Sequence, residues 1–438
     1  MMKNTFETYD SYKYSGVEWF KKMPKDWEVK RVKEIGLVVL GKMLDNMPRE
    51  YTYYRSYLKS KNIGWLKVND ANIEKMYFSL GEMSTYRLKN GDILLSEGGE
   101  VGKTAFWNEE IEECYIQNSV HKITVNKNNY SKYFLYQSFL LGTIKYYDSI
   151  VNYVSIKHLT KEKLSRVIWF CPPLPEQKAI ADYLDVETAQ IDRKIDLLTQ
   201  KATKYGELKQ SRITETVTRG LDKTVVMKDS GVEWIGEVPE HWKVMRGKDV
   251  FEQTKNKAGL ESSFYDVLSL TLKGVIKRDL DNMKGKIPAS FDGYQITKPD
   301  DLVLCLFDMD VTPRIVGYIK QVGIITSAYT VIRAKYEAHM KYFLYYYLEQ
   351  NRNGSLLANS KTLRSTMTFD LFSQLKLPVP PFPEQQSIAD YLDNKTEHID
   401  RIIDTINTQI DKLKELRKTL INDVVTGKIK VYQEGEAV

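Results

Sequence analysis

Cysteine and histidine are scarce in this sequence. Its 438 residues include three cysteines, Cys114, Cys171 and Cys305, and five histidines, and neither type shows the close spacing of metal ligands. Three cysteines cannot all pair, and their wide separation argues against a disulfide framework. No apolar run approaches the roughly 18 residues of a membrane-spanning helix, and the first residues carry no apolar signal core. We therefore expect a cytoplasmic protein that has no metal site and does not cross a membrane.

A complete phosphate-binding loop is also missing. The segment Ser96–Trp107 reads SEGGEVGKTAFW and contains the end of the P-loop motif G-x-x-x-x-G-K-[ST]. The first glycine of the motif would be residue 97, but Glu97 stands there, and its carboxylate would face the phosphates. The residues that follow, AFWNEE, do not read as the start of the required helix. An ATP site in this segment is therefore not expected.

Catalytic motifs are equally hard to find. The sequence VPPF, at Val379–Phe382, is similar to the Asn/Asp-Pro-Pro-aromatic motif of amino-methyltransferases, but valine cannot accept hydrogen bonds from a target amine. No glycine-rich loop for S-adenosylmethionine is evident. Glu28 and Lys30 lack the further carboxylates of a nuclease site. We expect a non-catalytic chain that binds no cofactor of its own.

The composition is that of a folded protein with more than one domain. Apolar residues make up 42% and aromatic residues 12% of the chain, and the 29 tyrosines outnumber the 7 tryptophans and 15 phenylalanines together. A chain of this length exceeds one ordinary hydrophobic core. The net charge of +6 is a mild basic excess, which is compatible with a nucleic-acid partner.

The chain is a tandem duplication. SGVEWFKKMPKDW begins at Ser15 and SGVEWIGEVPEHW at Ser230, while PPLPEQKAIADYLD begins at Pro172 and PPFPEQQSIADYLD at Pro380. Weaker echoes between these motifs keep an offset of 208 or 209 residues. Such self-similarity over nearly the whole chain indicates two copies of one structural unit.

Each half has the same internal order. About 150 residues with short β-branched runs, turn residues and one helical KYFLY segment suggest an α+β unit. A proline-rich stop and a long helical pattern follow. We expect two α/β domains at 1–170 and 221–378, two long helices at 171–220 and 379–428, and a tail at 429–438.

Both long helical segments carry one apolar stripe with three- and four-residue spacing, which is typical of a coiled-coil seam. The seam residues are Ile180, Leu184, Ile191, Ile195 and Leu198 in the first segment and Ile388, Leu392, Ile399, Ile403, Ile406, Ile410 and Leu413 in the second; the stripe continues through Ala202, Tyr205 and Leu208 and through Leu416. A helix with a single apolar stripe needs a partner. We predict that the two helices pair as an antiparallel coiled coil, so that the duplication becomes a pseudo-twofold.

The length of the two predicted helices is similar to that of two turns of duplex DNA. About 45 residues span about 65 Å, and duplex DNA makes about two turns over that distance. Two related domains on such a spacer could read two separated sites on one duplex.

Basic residues near aromatic or turn residues are the candidates for DNA contact. They are Arg55, Lys59 and Lys61 in the run YTYYRSYLKSKN, then Lys255, Lys257, Lys273, Lys277 and Arg278, and finally Arg314, Lys361 and Arg364. For the YTYYRSYLKSKN run, a solvated strand whose other face packs on the core is an equally good interpretation.

The order SGVEWxxxxPxxW, variable domain, PPxPEQxxIADYLD helix, repeated once, resembles the specificity subunit of a type I restriction–modification system. The helix endings VTRG at Val217 and VTGK at Val425 also match that family. The segment GDILLSEGGEVGKTAFW resembles a strand–turn–strand segment of its target-recognition domains, which places Lys103 among the DNA-contact candidates.

The resemblance implies two target-recognition domains, each reading half of a bipartite, asymmetric double-stranded DNA target. The paired helices would set the half-site spacing and dock two methyltransferase subunits, which bind S-adenosylmethionine and methylate adenine N6 after base flipping. Restriction subunits would add ATP- and Mg²⁺-dependent translocation and cleavage. Two alternatives remain at this stage: a non-catalytic scaffold with a duplicated domain, and a nuclease with a disguised metal site.

Overall fold

The computed structural model describes residues 7–17, 20–153, 157–280, 288–360 and 365–432. The chain forms two compact units. The first unit comprises Met1–Leu198 and Thr408–Val438, and the second unit comprises Thr199–Asn407.

In the first unit the strands are β1 (Tyr12–Val17), β2 (Phe20–Pro24), β3 (Glu28–Arg31), β4 (Gly36–Leu40), β5 (Thr52–Leu58), β6 (Glu74–Ser79), β7 (Ile93–Ser96), β8 (Thr104–Phe106), β9 (Cys114–Ile116), β10 (Val120–Val125), β11 (Asn152–Tyr153), β12 (Lys157–His158) and β13 (Ile168–Cys171). The helices that begin there are α1 (Val32–Ile35), α2 (Leu80–Tyr86), α3 (Ser131–Thr143), α4 (Tyr146–Ile150), α5 (Lys161–Arg166) and the long α6 (Leu174–Arg219).

In the second unit the strands are β14 (Met227–Asp229), β15 (Glu237–Pro239), β16 (Lys243–Arg246), β17 (Phe251–Thr254), β18 (Leu268–Thr271), β19 (Gly274–Lys277), β20 (Gln295–Thr297), β21 (Leu302–Leu304), β22 (Val316–Tyr318), β23 (Gly323–Ile325), β24 (Thr330–Ala334) and β25 (Lys376–Val379). The helices are α7 (Gly247–Val250), α8 (Met340–Arg352), α9 (Ser355–Ala358), α10 (Phe369–Gln374) and the long α11 (Phe382–Val425).

An antiparallel four-stranded sheet is the common framework of both units. Its order is β4-β10-β7-β8 in the first unit and β17-β24-β21-β22 in the second. The register also repeats, because Leu94 lies opposite Lys122 and Val303 opposite Val331, at matching positions of the duplication. The expected α+β organisation with a duplicated domain is thus confirmed.

One helix packs on each of these sheets. Helix α3 contacts β8, and α8 contacts β22. Both helices come from the KYFLY motif and bury its aromatic rings: Tyr133 and Phe134 in the first unit, Tyr342 and Phe343 in the second. These rings join the buried tryptophans Trp27 and Trp242 in the two large cores.

The strands outside the framework differ between the units. The first unit adds the three-stranded sheet β6-β5-β9 with a second small core around Leu58 and Trp107. The second unit adds two antiparallel pairs, β18-β19 and β20-β23.

Both long helices begin at the proline-rich motif, α6 with Leu174 and α11 with Phe382. Within the first unit, Ile180 and Leu184 near the start of α6 share a core with Ile421 and Val425 near the end of α11. Farther along α6, Asp192 meets Arg417, which lies earlier in α11. The two segments therefore run antiparallel within this unit.

The second unit has the same arrangement with the roles of the helices exchanged. Ile213 and Val217 of α6 share a core with Ile388 and Leu392 of α11, and Lys209 meets Asp400. Here the end of α6 lies beside the beginning of α11.

Burial along the predicted seam is uneven. The buried members are Ile180, Leu184, Ile191, Ile388, Leu392, Ile399, Ile406 and Ile410, and the half-buried members are Ile195, Leu198, Ile403 and Leu413. The expected continuation to Leu208 and Leu416 is not part of the buried stripe, because both side chains are exposed. The stripe instead resumes at Ile213 and Val217 and at Ile421 and Val424, which the spacing alone did not identify.

The expected C-terminal tail is packed as far as it is described. Ile429 and Val431 lie against the first core, and the backbone of Lys430 bridges to Glu7. The remaining tail residues, 433–438, lie outside the described residues.

Candidate nucleic-acid interface and its helical support

A buried glutamine ties each long helix to its own domain. Gln177, in the first turns of α6, donates from Nε2 to the carbonyl of Pro172 at 2.8 Å and accepts from the backbone N–H of Tyr130 at 2.8 Å. Because Tyr130 caps the start of α3, this side chain joins the starts of two helices. Gln385 makes the equivalent contacts to Pro380 and His339 at 2.8 and 2.9 Å.

An aspartate network fixes the framework helix against the long helix. Asp185 of α6 accepts from the ammonium of Lys132 at 2.5 Å and from the hydroxyl of Tyr136 at 2.7 Å, and that hydroxyl also lies 3.3 Å from the Thr188 oxygen. Both donors come from the KYFLY motif on α3. The second unit repeats the network with Asp393, Lys341, Tyr345 and Thr396 at 2.5, 2.7 and 3.2 Å.

The tryptophan motif receives the end of the other long helix. Tyr133 donates to the carbonyl of Val425 at 3.4 Å, in the last turn of α11. Two residues on, Gly427 has φ +71°, and a Cβ there would approach the ring of Trp27. A larger residue at 427 would therefore be strained and crowded. In the second unit the same roles belong to Tyr342, Val217, Gly220 and Trp242.

The first acidic residue of each long helix is also used. Glu176 is 6% exposed and accepts from the Tyr9 hydroxyl at 2.5 Å, and burial raises the pKa of this carboxyl group. Glu384 takes the equivalent place and lies 2.8 Å from Nε2 of His241. Both carboxylates lie in the first helical turn, where the helix dipole favours negative charge.

Three of the four predicted DNA-contact residues of the first unit are held in ion pairs, two of them on or next to β5. Nε of Arg55, on β5, lies 2.9 Å from Oε2 of Glu113, and Lys59 pairs with Glu74. Lys61 is exposed in the short 3₁₀ turn that follows. The structure thus brings Arg55 and Lys59 to one sheet, with acidic neighbours that lower their net charge.

The glycine-rich segment 97–103 is a turn between β7 and β8, and no helix follows it. Gly102 has φ +84°, and a Cβ at this position would collide with the Tyr147 ring. Lys103 pairs with Glu100 of the same turn. The segment therefore has the geometry of a packed strand connection and not that of a phosphate-binding loop.

In the second unit, Arg314 supports a hairpin. Its guanidinium donates to the carbonyls of Leu272 and Val316 at 3.1 and 3.0 Å, and burial lowers the pKa of Arg314. Leu272 lies in the tight turn between β18 and β19, so Arg314 holds that hairpin in place.

The other candidates of the second unit are spread over its surface. Lys277 pairs with Asp266 at 2.7 Å. The remaining described candidates are Lys255, Lys257 and Lys273, which are exposed, and Arg278, which is half-buried. Lys361 and Arg364 lie outside the described residues.

The duplicated contacts of Asp185, Gln177 and their counterparts were missed when single residues were considered from sequence. The signal was present, since Lys132, Tyr136, Gln177 and Asp185 all lie in motifs that occur twice. A polar residue that recurs within an apolar repeat marks a shared contact more reliably than a lone basic residue does.

Among the described residues, no group of three histidine, cysteine, aspartate or glutamate side chains could hold a metal ion. None of the helices in the described ranges is long and apolar enough to span a membrane. The three cysteines are buried free thiols.

A family model for the type I restriction modification DNA specificity domain matches residues 24–204 and, a second time, residues 239–414. The two matches fall in the two halves of the duplication. The duplicated unit is therefore a copy of this domain.

Similar proteins align over most of the chain. The putative type I restriction enzyme MjaX specificity subunit of Methanocaldococcus jannaschii is 23% identical and covers 93% of this chain and 95% of its own length. The type I restriction enzyme EcoBI specificity subunit of Escherichia coli is 23% identical and covers 81% of this chain and 79% of its own length.

Solved structures share the fold. A chain from a structure of complex assembly and conformational transition of the type I R-M system has a TM-score of 0.66 at 14% identity and covers 93% of this chain and 99% of that chain. The HsdS subunit from Thermoanaerobacter tengcongensis has a TM-score of 0.50 at 14% identity, with coverage of 93% and 98%.

Proposed function

Because this chain belongs to the family of type I restriction–modification DNA specificity subunits, with the specificity domain present twice, we propose that each unit reads one half of a bipartite DNA target. The observation that carries the proposal is a repeated framework with unlike additions. The four-stranded sheet, its register and the aspartate network recur, whereas outside this framework the first unit has the three-stranded sheet β6-β5-β9 and the second unit has the pairs β18-β19 and β20-β23. Unlike outer strands support unlike half-sites, and hence an asymmetric target.

The long helices are proposed to set the distance between the half-sites. Helix α6 has 46 residues and α11 has 44. At about 1.5 Å per residue each spans about 65–70 Å, or about two turns of duplex DNA. The helices and the tryptophan motifs would also dock two modification subunits.

The chemistry is assigned to those partners. Modification subunits would bind S-adenosylmethionine and methylate adenine N6, and restriction subunits would supply ATP- and Mg²⁺-dependent translocation and cleavage. This chain would act in the cytoplasm as the non-catalytic reader. Nothing among the described residues favours the scaffold or the nuclease alternative.

A map of N6-methyladenine tests the proposal. A host without adenine methylation would express this chain with the methyltransferase encoded beside it, and a parallel culture would express the methyltransferase alone. We expect a gapped, asymmetric motif only when this chain is present. An absence of new methylation, although both proteins are soluble and associated, would contradict the proposal.

A second experiment tests the spacer role. Seven residues added to both α6 and α11 preserve the apolar stripe and lengthen the spacer by about 10 Å, or about three base pairs. The gap of the motif should grow while both half-sites stay the same. Replacing seven residues without changing the length is the control. A changed half-site with an unchanged gap would contradict the spacer role.

A further inference from the structure

The first unit exposes a cluster of apolar side chains directly after an outer strand of its framework sheet. We name residues 43–51, which follow β4, the first apolar loop. Met43, Met47 and Tyr51 in this loop are 74%, 71% and 76% exposed. Leu44, between them, is exposed as well. Isolated exposed apolar residues are ordinary on a protein surface, but clustered ones mark interaction sites.

The first apolar loop is held firmly at its base. The ammonium of Lys42 donates to Oε2 of Glu82 at 2.7 Å and to Oδ2 of Asp45 at 3.3 Å, and the Asp45 carbonyl accepts from the backbone of Tyr77 at 2.9 Å. Tyr51 has φ +61°, a left-handed conformation that bulky residues rarely adopt. The Lys42 and Asp45 contacts fix the backbone at the start of the loop, where Met43 and Leu44 are exposed.

The second unit has a counterpart at the same topological place. We name residues 256–264, which follow the outer strand β17, the second apolar loop. Leu260 and Phe264 are 93% and 84% exposed on its 3₁₀ turn. The turn is anchored by Asp292, whose carbonyl accepts from the N–H of Gly259 at 3.1 Å and whose side chain accepts from Ser262 at 2.6 Å.

The occupant of both loops follows from their setting. The loops recur at one position of a DNA specificity domain, yet their sequences, MLDNMPREY and NKAGLESSF, have little in common. An equivalent position with a different sequence is what we expect of two loops that contact different DNA sequences. Cations lie beside them: the largely exposed Arg49 of the first loop, whose guanidinium lies 3.6 Å from the Asp45 carboxylate, and the exposed Lys255 and Lys257 near the start of the second loop. Apolar side chains can contact thymine methyl groups or enter base steps, while nearby cations contact phosphates.

We propose that the two apolar loops are base-reading elements, the first for one half-site and the second for the other. This inference rests on the proposed function and adds the residues that read the target. Met43, Met47 and Tyr51 would contact bases in one half-site, and Leu260 and Phe264 would contact bases in the other.

The test substitutes one loop at a time in the full-length chain co-expressed with its methyltransferase. The first variant carries M47S and Y51N, because asparagine tolerates the left-handed conformation of residue 51. The second carries L260S and F264S. We expect each variant to lose about tenfold to a hundredfold discrimination at one or two base positions of a single half-site. The other half-site and the gap should not change.

Matched controls remove equally exposed rings elsewhere. Tyr14, on β1, is 73% exposed and Tyr336 is 79% exposed, and neither lies in an apolar loop. Y14N and Y336S should leave the motif unchanged. The readouts are the methylation motif and binding of the purified complex to duplexes with single base changes, with circular dichroism and co-purification as checks of folding and assembly.

Three outcomes would overturn the inference. If the wild-type chain yields a motif and both loop variants keep it at every position, the loops do not read bases and the proposed function still stands. If the variants lose co-purification with the methyltransferase, and methylation is lost at both half-sites together, the loops are a protein-docking surface. If the wild-type chain yields no motif, the proposed function fails together with the inference.

Discussion

The two units share the same framework and differ mainly in the strands and loops outside it. Their framework sheets, helix-anchoring glutamines and aspartate networks are copies of each other, down to distances that agree within about 0.1 Å. Their strands outside the framework pair differently, and their apolar loops, although they follow equivalent strands, have different sequences. Contacts that hold a domain on the spacer must satisfy the same geometry twice, whereas surfaces that meet different DNA sequences need not agree.

A buried carboxylate shows the same division inside the framework. Asp92 and Asp301 occupy equivalent places, and each accepts from a backbone N–H three residues earlier, at 2.9 and 2.7 Å. Their second partners differ. Asp92 accepts from the hydroxyl of Thr124 at 2.5 Å, whereas Asp301 accepts two hydrogen bonds from Arg333 at 2.7 and 2.8 Å. Both aspartates therefore cap the same turn, but they bind different residues on the neighbouring strand, Thr124 in the first unit and Arg333 in the second.

The first prediction, with the largest expected effect, is that removing the charge of Asp301 destabilises its unit more than removing the charge of Asp92 does. Asp301→Asn should lower the free energy of unfolding of the second unit by about 3 kcal/mol, because the buried side chain of residue 301 then no longer pairs as a carboxylate with the half-buried Arg333. Asp92→Asn should cost less than about 1 kcal/mol, because the amide oxygen still accepts from the Lys89 N–H while the amide nitrogen donates to the Thr124 hydroxyl oxygen. Burial already raises the pKa of Asp92, so its charge is costly to keep. Hydrogen exchange of β7 and β21 measures each unit separately.

The exposed carboxylate Asp310 provides the control, and Asp310→Asn should change neither unit. Equal losses for Asp92→Asn and Asp301→Asn would show that the turn cap, and not the second partner, dominates at this position.

The second prediction concerns pH. His121 is buried in the first unit with Nε2 2.6 Å from the Leu159 carbonyl, and burial lowers the pKa of His121 below its ordinary value near 6.5. The stability that neutral His121 contributes to the first unit is therefore complete above about pH 6.5. It is lost as the pH falls below that value, by at most about 1.4 kcal/mol per pH unit. Thr330 takes the equivalent place in the second unit and does not titrate.

Hydrogen exchange at pH 7.5 and pH 5.5 tests this difference. The first unit should lose more stability on acidification than the second, and His121→Thr should remove most of that difference. Thr330→Ser in the second unit is the control, since it changes the equivalent place and adds no titrating group. An unchanged slope in His121→Thr would show that other groups carry the pH dependence.

The sequence was most informative where it repeats. The duplication, the start of each long helix and the buried residues Ile180 and Ile388 follow from motifs that occur twice and from helical spacing. The end of the stripe was harder to predict. Leu208 is exposed while Ile213 is buried, because the domain, and not only the partner helix, decides which side chains are covered near the helix end.

The predicted DNA-contact residues show a different limit. Basic residues such as Arg55, Lys59 and Lys277 look free in sequence, but carboxylates that are distant or on neighbouring strands pair with them. Conversely, the sequence does not indicate that Met47 and Phe264 are exposed, since apolar residues are expected in the hydrophobic core. Only the fold shows that these side chains lie outside, so they could not be predicted as surface candidates.

The third prediction is that the two aspartate networks stabilise their units equally. Tyr136→Phe and Tyr345→Phe should each lower the free energy of unfolding of their own unit by about 1 kcal/mol, because each removes one hydroxyl that bonds to a carboxylate. The two losses should agree, since the contacts are equivalent. Tyr336→Phe, in an exposed ring, is the control. Losses that differ by more than the experimental error would mean that the surroundings, and not the network, set its strength.

The smallest expected effect lies in the pairs that link the long helices. Nη1 of Arg417 lies 2.5 Å from Oδ1 of Asp192, and its guanidinium lies 5.9 Å above the Phe139 ring, whereas Lys209 meets the more exposed Asp400 at 2.6 Å. Arg417→Lys should cost about 0.5–1 kcal/mol, because lysine does not keep the position of the guanidinium over the Phe139 ring, and Lys209→Arg should change stability by less than about 0.5 kcal/mol. Thermal unfolding of both variants measures this, and equal changes would show that the ring contributes nothing.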